Sequence, residues 1–466
     1  MSGIFGVVNG SIDDLFYGVD YHSHLGSEFA GLGFPGERPI IHKLNAQFKS
    51  KFSNVLQTHK SKKTGIGVIS SNQEQPIGTY SRHGYFLICT NGRIFNEEEL
   101  FNRLLEGETT FTESVRERIN QTELAAKIIA KENSIEEGIE KLFNAIDGSL
   151  SLLLLTEKGN LYAARAKHGH STLIIGKKEN AFAVTTETCA FNNLGYFPIK
   201  ELMPGEIVLI TEKGLETKAK GNHKSKICAF LYVYTGFPAS EFEGINVEEA
   251  RYRCGAFLAK RDKAYNYFKQ GIVAGVPDSG LAHAIGYANA SGMPLKRPLV
   301  KYTDGYGRSY IPTTQEERDI IAKMKLIAIP RIAKDAVIFL LEDSIVRGTQ
   351  LKNFTIKKLQ DIGAKEIHLR VACPPLMFPC KYNISTRALE ELIARRAIKQ
   401  LEGTFEPANI EDYLDPNNEK YKQMVELIRK ELNVTSLRFQ TLGDMIEAIG
   451  LPEDRLCTYC WTGKEI

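Results

Sequence analysis

The chain has 466 residues, of which 43% are hydrophobic and 25% are charged. At roughly 150 residues per domain this length predicts two or three domains, and the composition excludes a largely disordered chain. A formal net charge of +3 carries no signature of polyanion binding, so we expect no nucleic-acid partner. No apolar run approaches the roughly 20 residues that span a bilayer, and no signal peptide is visible, so we expect no membrane partner and a cytoplasmic location.

The Cys content argues against a disulfide framework. Eight Cys among 466 residues is a low density for a protein held together by disulfides. We therefore interpret paired Cys first as ligands of a metal ion or cluster.

The first part of the chain, up to about residue 220, has the pattern of an α+β domain. Residues 122–132 have helical periodicity. Short apolar segments separated by turn residues predict strands at 4–8, 85–90, 152–156, 181–185 and 206–210. The polar stretch 218–226 is the predicted boundary, which divides the chain into domains 1–225 and 226–466.

Beyond this boundary, strands and helices alternate. Asn246 stands three residues before Glu249 and predicts the start of a helix. Buried strands are predicted at 271–276, 336–341 and 366–372, with loops and helices between them. This spacing is typical of a parallel α/β sheet.

The most informative segment follows the second of these strands. The apolar run ends at Leu341, two acids follow at Glu342 and Asp343, and a loop of Ser, Gly and Thr residues opens a helix near Thr349. Backbone N–H groups at a helix N-terminus suit a phosphate dianion, and adjacent carboxylates suit sugar hydroxyls or a metal ion. The alternative interpretation is a capped turn with solvated acids.

Residues 342–349 resemble the ribose-phosphate loop of type I phosphoribosyltransferases, and nearly the whole chain resembles the glutamine phosphoribosylpyrophosphate amidotransferase family. The resemblance is strongest in the second half. Residues 275–280 match the family's pyrophosphate loop. Residues 301–311 and 323–326 resemble the loop that closes over the substrate and the segment after it.

The resemblance implies an enzyme that binds phosphoribosylpyrophosphate with Mg²⁺ and transfers the phosphoribosyl group to ammonia, giving phosphoribosylamine for purine biosynthesis. Glu342 and Asp343 are the implied ligands of the ribose hydroxyls and of Mg²⁺. The other implied substrate-binding residues are Asp278, Ser279 and Gly280 for the pyrophosphate, Lys325 and Arg347 for nearby positive charge, and Ser344, Ile345, Val346, Arg347, Gly348 and Thr349 for the 5-phosphate.

The chain departs from the family pattern at two of these places. The family has Asp where this chain has Glu342. The closing loop carries Tyr302, Thr303 and Asp304 where the family has an Arg-containing run. One cation for the leaving pyrophosphate is therefore missing from the expected set.

Cys457 and Cys460 form a Cys-x-x-Cys motif, which by itself is compatible with zinc, with an iron–sulfur cluster or with no ligand. The family's iron–sulfur branch draws four thiolates from three separated segments. Cys228, Cys380, Cys457 and Cys460 match all four positions. The resemblance therefore implies a [4Fe–4S] cluster, with a structural Zn²⁺ as the alternative.

The first half resembles the family's glutaminase domain. The implied fold class is an α+β Ntn-type glutaminase-like sandwich, followed by an α/β type I phosphoribosyltransferase domain with a parallel sheet. Ser2 stands at the position of the nucleophilic Cys, and Asn91 and Gly92 match the turn that forms the oxyanion hole.

The residues that would bind glutamine are not retained. The family's two Arg residues align with Leu25 and near Val68, and its Asp aligns with Gln121. These replacements remove the charges that hold a zwitterion, and a Ser hydroxyl is far harder to ionise than a thiol. We expect the glutaminase activity to be lost and the ammonia to be free or delivered by a partner.

Other functions stay open from the sequence. Ser2 could act as an Ntn nucleophile after removal of Met1, with its own α-amino group as base, in a glutamine-dependent enzyme. A non-catalytic regulator that senses phosphoribosylpyrophosphate or nucleotides is a second alternative, and an enzyme with a different amine acceptor is a third. By analogy with the family we expect a homo-oligomer, either a dimer or a tetramer.

Overall fold

The computed structural model describes residues 2–26, 28–44, 47–114, 117–221, 224–264, 271–302, 324–382 and 388–465. The chain divides into two compact units, which we describe separately. The first unit comprises Met1–Cys228, Ala239–Glu243 and Lys381–Ile384, and the second comprises Ala229–Pro238, Gly244–Cys380 and Ser385–Ile466. No described helix combines the length and the apolar character needed to cross a membrane.

The regular elements of the first unit are mostly strands. Its strands are β1 (Ser2–Val8), β2 (Phe29–Gly33), β3 (Ile40–Lys43), β4 (Gly65–Ser70), β5 (Ile77–Ser81), β6 (Gly84–Ile94), β7 (Gly148–Thr156), β8 (Leu161–Arg165), β9 (Ile174–Lys178), β10 (Ala181–Thr185), β11 (Phe197–Glu201), β12 (Ile207–Thr211), β13 (Gly214–Ala219), β14 (Ile227–Cys228) and β15 (Glu241–Phe242). Its helices are α1 (Ile12–Asp20), α2 (Phe48–Thr58), α3 (Glu97–Glu106), α4 (Gln121–Lys131), α5 (Ile135–Ala145) and α6 (Phe191–Leu194).

Helices and strands alternate in the second unit. Its strands are β16 (Ile245–Asn246), β17 (Ile272–Gly275), β18 (Leu299–Lys301), β19 (Leu326–Ala328), β20 (Val337–Glu342), β21 (Glu366–Val371), β22 (Ser436–Phe439) and β23 (Leu456–Cys457). Its helices are α7 (Val247–Ala264), α8 (Leu281–Ser291), α9 (Pro330–Ala333), α10 (Lys357–Asp361), α11 (Ile393–Glu402), α12 (Glu419–Leu432), α13 (Leu442–Ile449) and α14 (Tyr459–Thr462).

Two antiparallel sheets stack face to face in the first unit. The described strands form one sheet in the order β11-β9-β10-β1-β4-β2-β3 and a second in the order β13-β12-β8-β7-β6-β5. Because strand side chains alternate between faces, Leu153 of β7 joins the core between the sheets with Ile4 of β1. Its neighbour Leu152 packs on the opposite face, in a cluster with Leu124 of α4 and Ile139 of α5. The result is the sandwich that the sequence predicted.

A parallel sheet forms the centre of the second unit. Its described strands run in the order β17-β20-β21-β22, and β20 pairs in parallel with both β17 and β21. Cys254 and Leu258 of α7 pack in one buried cluster with Tyr287 of α8 and Phe339 of β20. The predicted α/β class is confirmed, and the predicted helix start at Asn246 is confirmed as well, since its side chain accepts from the Glu249 N–H at 3.1 Å.

The predicted strand at 85–90 is longer in the structure, because β6 continues its pairing with β7 through Ile94. The chain passes from the first unit to the second between Cys228 and Ala229. The assignment of separate activities to domains 1–225 and 226–466 stays a prediction.

A buried ion pair ties α7 to the parallel sheet. Asp262 of α7 and Arg370 of β21 are both fully buried, and Arg370 Nε donates to Asp262 Oδ2 at 2.5 Å. The Tyr287 hydroxyl donates to the same oxygen at 2.6 Å. Removing one member of such a pair leaves the other charge buried without a counter-ion, which lowers the free energy of unfolding strongly. Replacing both members by apolar residues has a much smaller effect.

We expect Asp262→Asn to lower the free energy of unfolding of the second unit by about 3 kcal/mol, because Arg370 stays buried as a cation. The single Trp of the chain, Trp461, is buried in this unit, so its fluorescence during denaturant unfolding reports on the unfolding of the second unit. Glu426→Gln, which removes an exposed pair with Arg429 on α12, is the control and should change stability by less than about 0.5 kcal/mol. Equal losses in the two variants would contradict the prediction.

Candidate active site

Two loops leave the parallel sheet at the same edge. Gly275 at the end of β17 pairs with Leu341 of β20, and the Val276 N–H donates to the Leu341 carbonyl oxygen at 2.9 Å. Loop 276–280 after β17 and loop 343–349 after β20 therefore start side by side. In open α/β sheets this edge, at the carboxyl ends of parallel strands, is where ligands bind.

Close packing of backbone requires glycine in the first loop. A Cβ atom at Gly280 would lie 2.1 Å from the Leu341 carbonyl oxygen, and one at Gly275 would lie 2.6 Å from the Gly280 carbonyl oxygen. Gly280 is also the N-cap of α8, so the loop ends at a helix N-terminus. The residues predicted to bind pyrophosphate therefore lie on a loop that packs against β20; they are Asp278, Ser279 and Gly280.

The two acids that follow β20 are buried beside this loop. Ser279 Oγ donates to Glu342 Oε1 at 3.1 Å, and the Asp343 N–H donates to the same oxygen at 3.1 Å. Burial, reinforced by the Asp343 charge, raises the pKa of Glu342 well above its usual range. Two adjacent buried carboxyl groups favour a ligand that brings positive charge or hydroxyl donors.

The second loop, residues 343–349, carries charged and hydroxyl side chains. Ser344 Oγ donates to Asp343 Oδ1 at 2.5 Å, which orients the start of the loop. Gly348 has a φ of 75°, a left-handed conformation that favours glycine. Arg347 is mostly exposed, and its Nη2 contacts Glu391 Oε1 at 2.5 Å. Neither Glu391 nor this contact was predicted, because the residues are 44 positions apart.

A cationic side chain contacts the first loop. Lys301 Nζ lies 2.8 Å from Asp278 Oδ2. Lys325 is half-buried, and its carbonyl oxygen accepts from the Tyr302 N–H at 2.8 Å. The rest of the predicted closing loop, residues 303–323, lies outside the described residues.

A buried His that sequence reasoning missed lies behind this site. His283, in the first turn of α8, has Nδ1 at 3.1 Å from the Arg251 carbonyl oxygen and Nε2 at 3.2 Å from the Val233 carbonyl oxygen. Burial, with a smaller contribution from the Arg251 charge, lowers its pKa to about 4. A lone His in an apolar helical segment has no local signal that separates it from an ordinary core residue.

In the first unit Ser2 lies at the start of β1 and is buried. Its backbone N–H donates to Asn91 Oδ1 at 3.1 Å, and its hydroxyl lies 3.4 Å from Ser70 Oγ. The structure therefore brings the predicted nucleophile position and Asn91 together. Ser70 was not singled out from the sequence, although it pairs directly with Ser2 across β1 and β4.

The predicted turn at Asn91 and Gly92 is wrong in its local structure. Both residues lie inside β6, where Asn91 pairs with Ser151 and Gly92 with Leu150. The strand continues because its partner β7 is long enough to pair with it. Gly92 is required there, since its φ is 141° and a Cβ atom would lie 2.0 Å from the Ser149 carbonyl oxygen.

The positions of the expected glutamine clamps hold neutral, buried side chains. Leu25 and Val68 are buried, Val68 in the core between the sheets. The Gln121 amide bonds to the Ile94 backbone in both directions, at 2.9 Å and 3.2 Å, and also donates to Glu97 at 2.6 Å. Both N–H donors of this amide are used, and its oxygen, which already accepts one bond, carries no negative charge with which to hold a substrate amino group.

The predicted ligand cysteines lie at backbone contacts between separated segments. The Met377 and Phe378 N–H groups, just before Cys380, donate to the Cys460 carbonyl oxygen at 2.9 Å and 3.0 Å. Ala229, which follows Cys228, donates its N–H to the Cys457 carbonyl oxygen at 3.2 Å. Within the described part of the chain, no group of three or more His, Cys, Asp or Glu side chains is arranged to hold a metal ion.

Comparison with known proteins gives consistent matches. A family model for a glutamine amidotransferase domain matches residues 61–193. The amidophosphoribosyltransferase of Methanothermobacter thermautotrophicus is 30% identical, over 99% of this chain and 93% of its own length. That of Staphylococcus epidermidis is 31% identical, over 99% and 90%. A solved structure of glutamine phosphoribosylpyrophosphate amidotransferase from B. subtilis, complexed with ADP and GMP, superposes with a TM-score of 0.83 at 29% identity, covering 99% of this chain and 96% of that one.

The buried His22 makes the first unit sensitive to acid. His22 Nδ1 lies 2.7 Å from the Gly18 carbonyl oxygen and Nε2 lies 2.9 Å from Thr185 Oγ1, which suits a neutral ring that donates from Nδ1. Burial lowers the pKa of His22 from 6.5 to about 4. The unfolded chain therefore binds this proton more tightly than the folded one, and stability falls as the pH drops below 6.5.

We expect protonation of His22 to lower the free energy of unfolding of the first unit by about 3 kcal/mol between pH 6.5 and pH 4. His22→Gln should remove this contribution to the pH dependence. Hydrogen exchange of peptides from β1, corrected for the intrinsic exchange rate at each pH, measures it. His170 of the same unit, whose pKa burial lowers to about 3, continues to contribute in both proteins. Identical pH profiles for the two proteins would refute the assignment to His22.

Proposed function

This chain belongs to the amidophosphoribosyltransferase family, and from that premise we propose how its two units divide the work. The protein is a phosphoribosyltransferase that uses phosphoribosylpyrophosphate and forms phosphoribosylamine, a reaction of purine biosynthesis. The second unit, within 226–466, carries the transfer. The first unit, within 1–225, is a glutaminase-like domain that no longer hydrolyses glutamine.

The two loops at the sheet edge support the assignment of the transfer reaction. Loop 276–280 would hold the pyrophosphate, and Asp343 with Glu342 would hold the ribose hydroxyls. Ser344 to Thr349 would hold the 5-phosphate. Because β17 and β20 run in parallel and in register, both ends of one extended substrate can be held at once.

The reaction asks for positioning more than for covalent chemistry. The bond between C1 of the ribose and the pyrophosphate oxygen breaks, and pyrophosphate leaves with the electron pair. The ammonia nitrogen forms the new bond to C1 and then loses a proton. The site must stabilise the leaving charge, fix the sugar and exclude water, because water would capture the same cation-like carbon.

The acid pair also suits a divalent cation. Glu342 and Asp343 offer adjacent carboxylate oxygens, the ligand type that Mg²⁺ prefers, and both side chains are buried. Mg²⁺ bound with the substrate would neutralise part of the pyrophosphate charge. The Ser279 hydroxyl donates to Glu342, and this bond would exchange for substrate contacts.

The observation that supports the loss of glutaminase activity is that the positions expected to bind glutamine hold neutral side chains. The hydroxyl beside Ser2 belongs to Ser70, and Gln121 is committed to the Ile94 backbone and Glu97. A zwitterionic amino acid would find no charged partner among Leu25, Val68 and Gln121. Ammonia would then come from solution or from a partner protein.

In its described residues the structure does not group the four Cys residues as metal ligands, and we assign them to a [4Fe–4S] cluster, with Zn²⁺ as the alternative, because they match the four ligand positions of the family's iron–sulfur branch. Cys380 and Cys457 are buried, and Cys228 and Cys460 are half-buried, as suits thiolates around a shielded group. The backbone contacts at Cys457 and Cys460 support this, since they join the three Cys-bearing segments. The cluster would hold these segments together rather than act on the substrate. A homo-oligomer and a cytoplasmic location stay predictions.

Comparing ammonium with glutamine as the nitrogen donor tests the activities proposed for the two units. With phosphoribosylpyrophosphate and Mg²⁺, we expect the full chain to release pyrophosphate with ammonium and not with glutamine, and Ser2→Ala to behave like the unchanged protein. Asp343→Asn should lower kcat/KM with ammonium by about a hundredfold or more, because the developing sugar cation loses a buried carboxylate.

Each of the other possible results of this assay would favour one of the alternative functions. Glutamate release from glutamine that disappears in Ser2→Ala would establish a Ser2-dependent glutaminase. Calorimetric binding of phosphoribosylpyrophosphate without turnover with any amine would indicate a sensor. Turnover with another amine alone would identify a different acceptor.

Anaerobic purification tests the metal site. We expect roughly four iron and four sulfide per chain, and loss of both in Cys457→Ser. Cys254→Ser, which changes a buried thiol in the core cluster of the second unit, is the control and should retain the iron. Zinc in place of iron would favour the alternative, and neither metal would refute the site.

A further inference from the structure

The loop that follows β20 rests on the first turn of α11. The Ile393 N–H donates to the Val346 carbonyl oxygen at 2.8 Å. Ile393 is the first residue of α11, so this N–H has no partner within its own helix, and the loop supplies one. A Cβ atom at Gly348 would lie 2.6 Å from Ile393 Cδ1, so the loop is packed against the helix and not only bonded to it.

Arg396, one turn further along α11, donates a hydrogen bond to the next backbone carbonyl group of the same loop. Its Nη2 donates to the Arg347 carbonyl oxygen at 2.8 Å and to Glu431 Oε1 on α12 at 2.9 Å. Its Nη1 lies 3.4 Å from the Glu391 carbonyl oxygen. One guanidinium, about 30% exposed, therefore joins the loop, the turn before α11, and α12.

Two consecutive carbonyl groups of the loop, those of Val346 and Arg347, are thus anchored to α11. In a planar trans peptide the N–H points opposite to the C=O of the same unit. The N–H groups of Arg347 and Gly348 are therefore directed away from α11. In the part of the chain that the structure describes, neither of them donates to a protein acceptor. Successive N–H groups that face one way form a concave site for an anion.

We infer that Arg396 is a positioning residue for the 5-phosphate of the substrate. It acts through the backbone, by fixing the peptide whose N–H would donate to a phosphate oxygen, and it touches no reacting atom. This inference rests on the proposed function, which places the 5-phosphate on Ser344 to Thr349. Among the described residues, Arg396 donates to the loop after β20, to Glu391 and to Glu431, and not to the loop at 276–280.

A structural role for Arg396 can be separated from this one through Glu431. If Arg396 served only to tie α11 to α12, loss of the Glu431 carboxylate would be as harmful as loss of the guanidinium. If Arg396 positions the loop, Glu431→Gln leaves the bond to the Arg347 carbonyl oxygen in place and should change little.

Calorimetry on the full chain with the two halves of the substrate provides the test. The probes are ribose 5-phosphate alone and pyrophosphate with Mg²⁺. We expect Arg396→Met to weaken ribose 5-phosphate binding about tenfold and pyrophosphate binding less than about twofold, as suits the loss of one charged hydrogen bond. Arg396→Lys, which keeps a donor, should fall between Arg396→Met and the unchanged protein.

The controls make each outcome decisive. The midpoint of unfolding from Trp461 fluorescence shows whether each variant is folded, and Arg396→Lys carries the comparison where Arg396→Met unfolds. Unchanged ribose 5-phosphate binding in folded Arg396→Met would overturn the inference, and so would equal weakening of both probes or an equal effect of Glu431→Gln. If the unchanged protein binds neither probe, the proposed function itself fails.

Discussion

The parallel pairing of β17 with β20 is the constraint on which the candidate site depends. Because Gly275 lies opposite Leu341, the loops that leave the two strands begin at one edge of the sheet. The glycines at 275 and 280 follow from this closeness, since a side chain there would strike backbone atoms. The buried position of Glu342 follows as well, because the neighbouring loop covers it and places Ser279 against its carboxyl group.

The fold of the first unit does not depend on the side chain of Ser2. Its stability comes from two sheets that bury alternate residues of the same strands on opposite faces, and none of those core contacts involves the Ser2 hydroxyl. Buried polar groups of this unit bond to one another: the Gln73 N–H donates to Ser70 Oγ at 3.4 Å, and the Gln73 side-chain amide donates to Thr122 Oγ1 at 3.0 Å. Buried polar groups must be paired, so neutral partners can replace charged ones while the sandwich is retained.

Neighbouring residues of α11 donate hydrogen bonds to two different segments of the chain. Arg395 Nε donates to the Met377 carbonyl oxygen at 2.6 Å, next to the segment that carries Cys380, whereas Arg396 donates to the loop after β20. Consecutive side chains on a helix point about 100° apart, so one helix can reach two places. The loop after β20 and the segment that carries Cys380 are therefore supported by the same helix.

Local features of the molecule were readable from the amino-acid sequence alone. A continuous apolar run placed the strand that ends at Glu342 within one residue, and the Asn246 cap was correct, because strand preference and capping depend on near neighbours. The adjacent acids and the Ser, Gly and Thr loop indicated an anion site for the same reason. Tertiary structure alone decided the rest: that Asn91 and Gly92 lie in a strand, that Ser70 faces Ser2, and that Arg396 holds the Arg347 carbonyl. Each of these depends on a partner 49 or more positions away, and hydrogen bonds to distant carbonyls leave no local pattern, since any donor that packing brings within reach can form them.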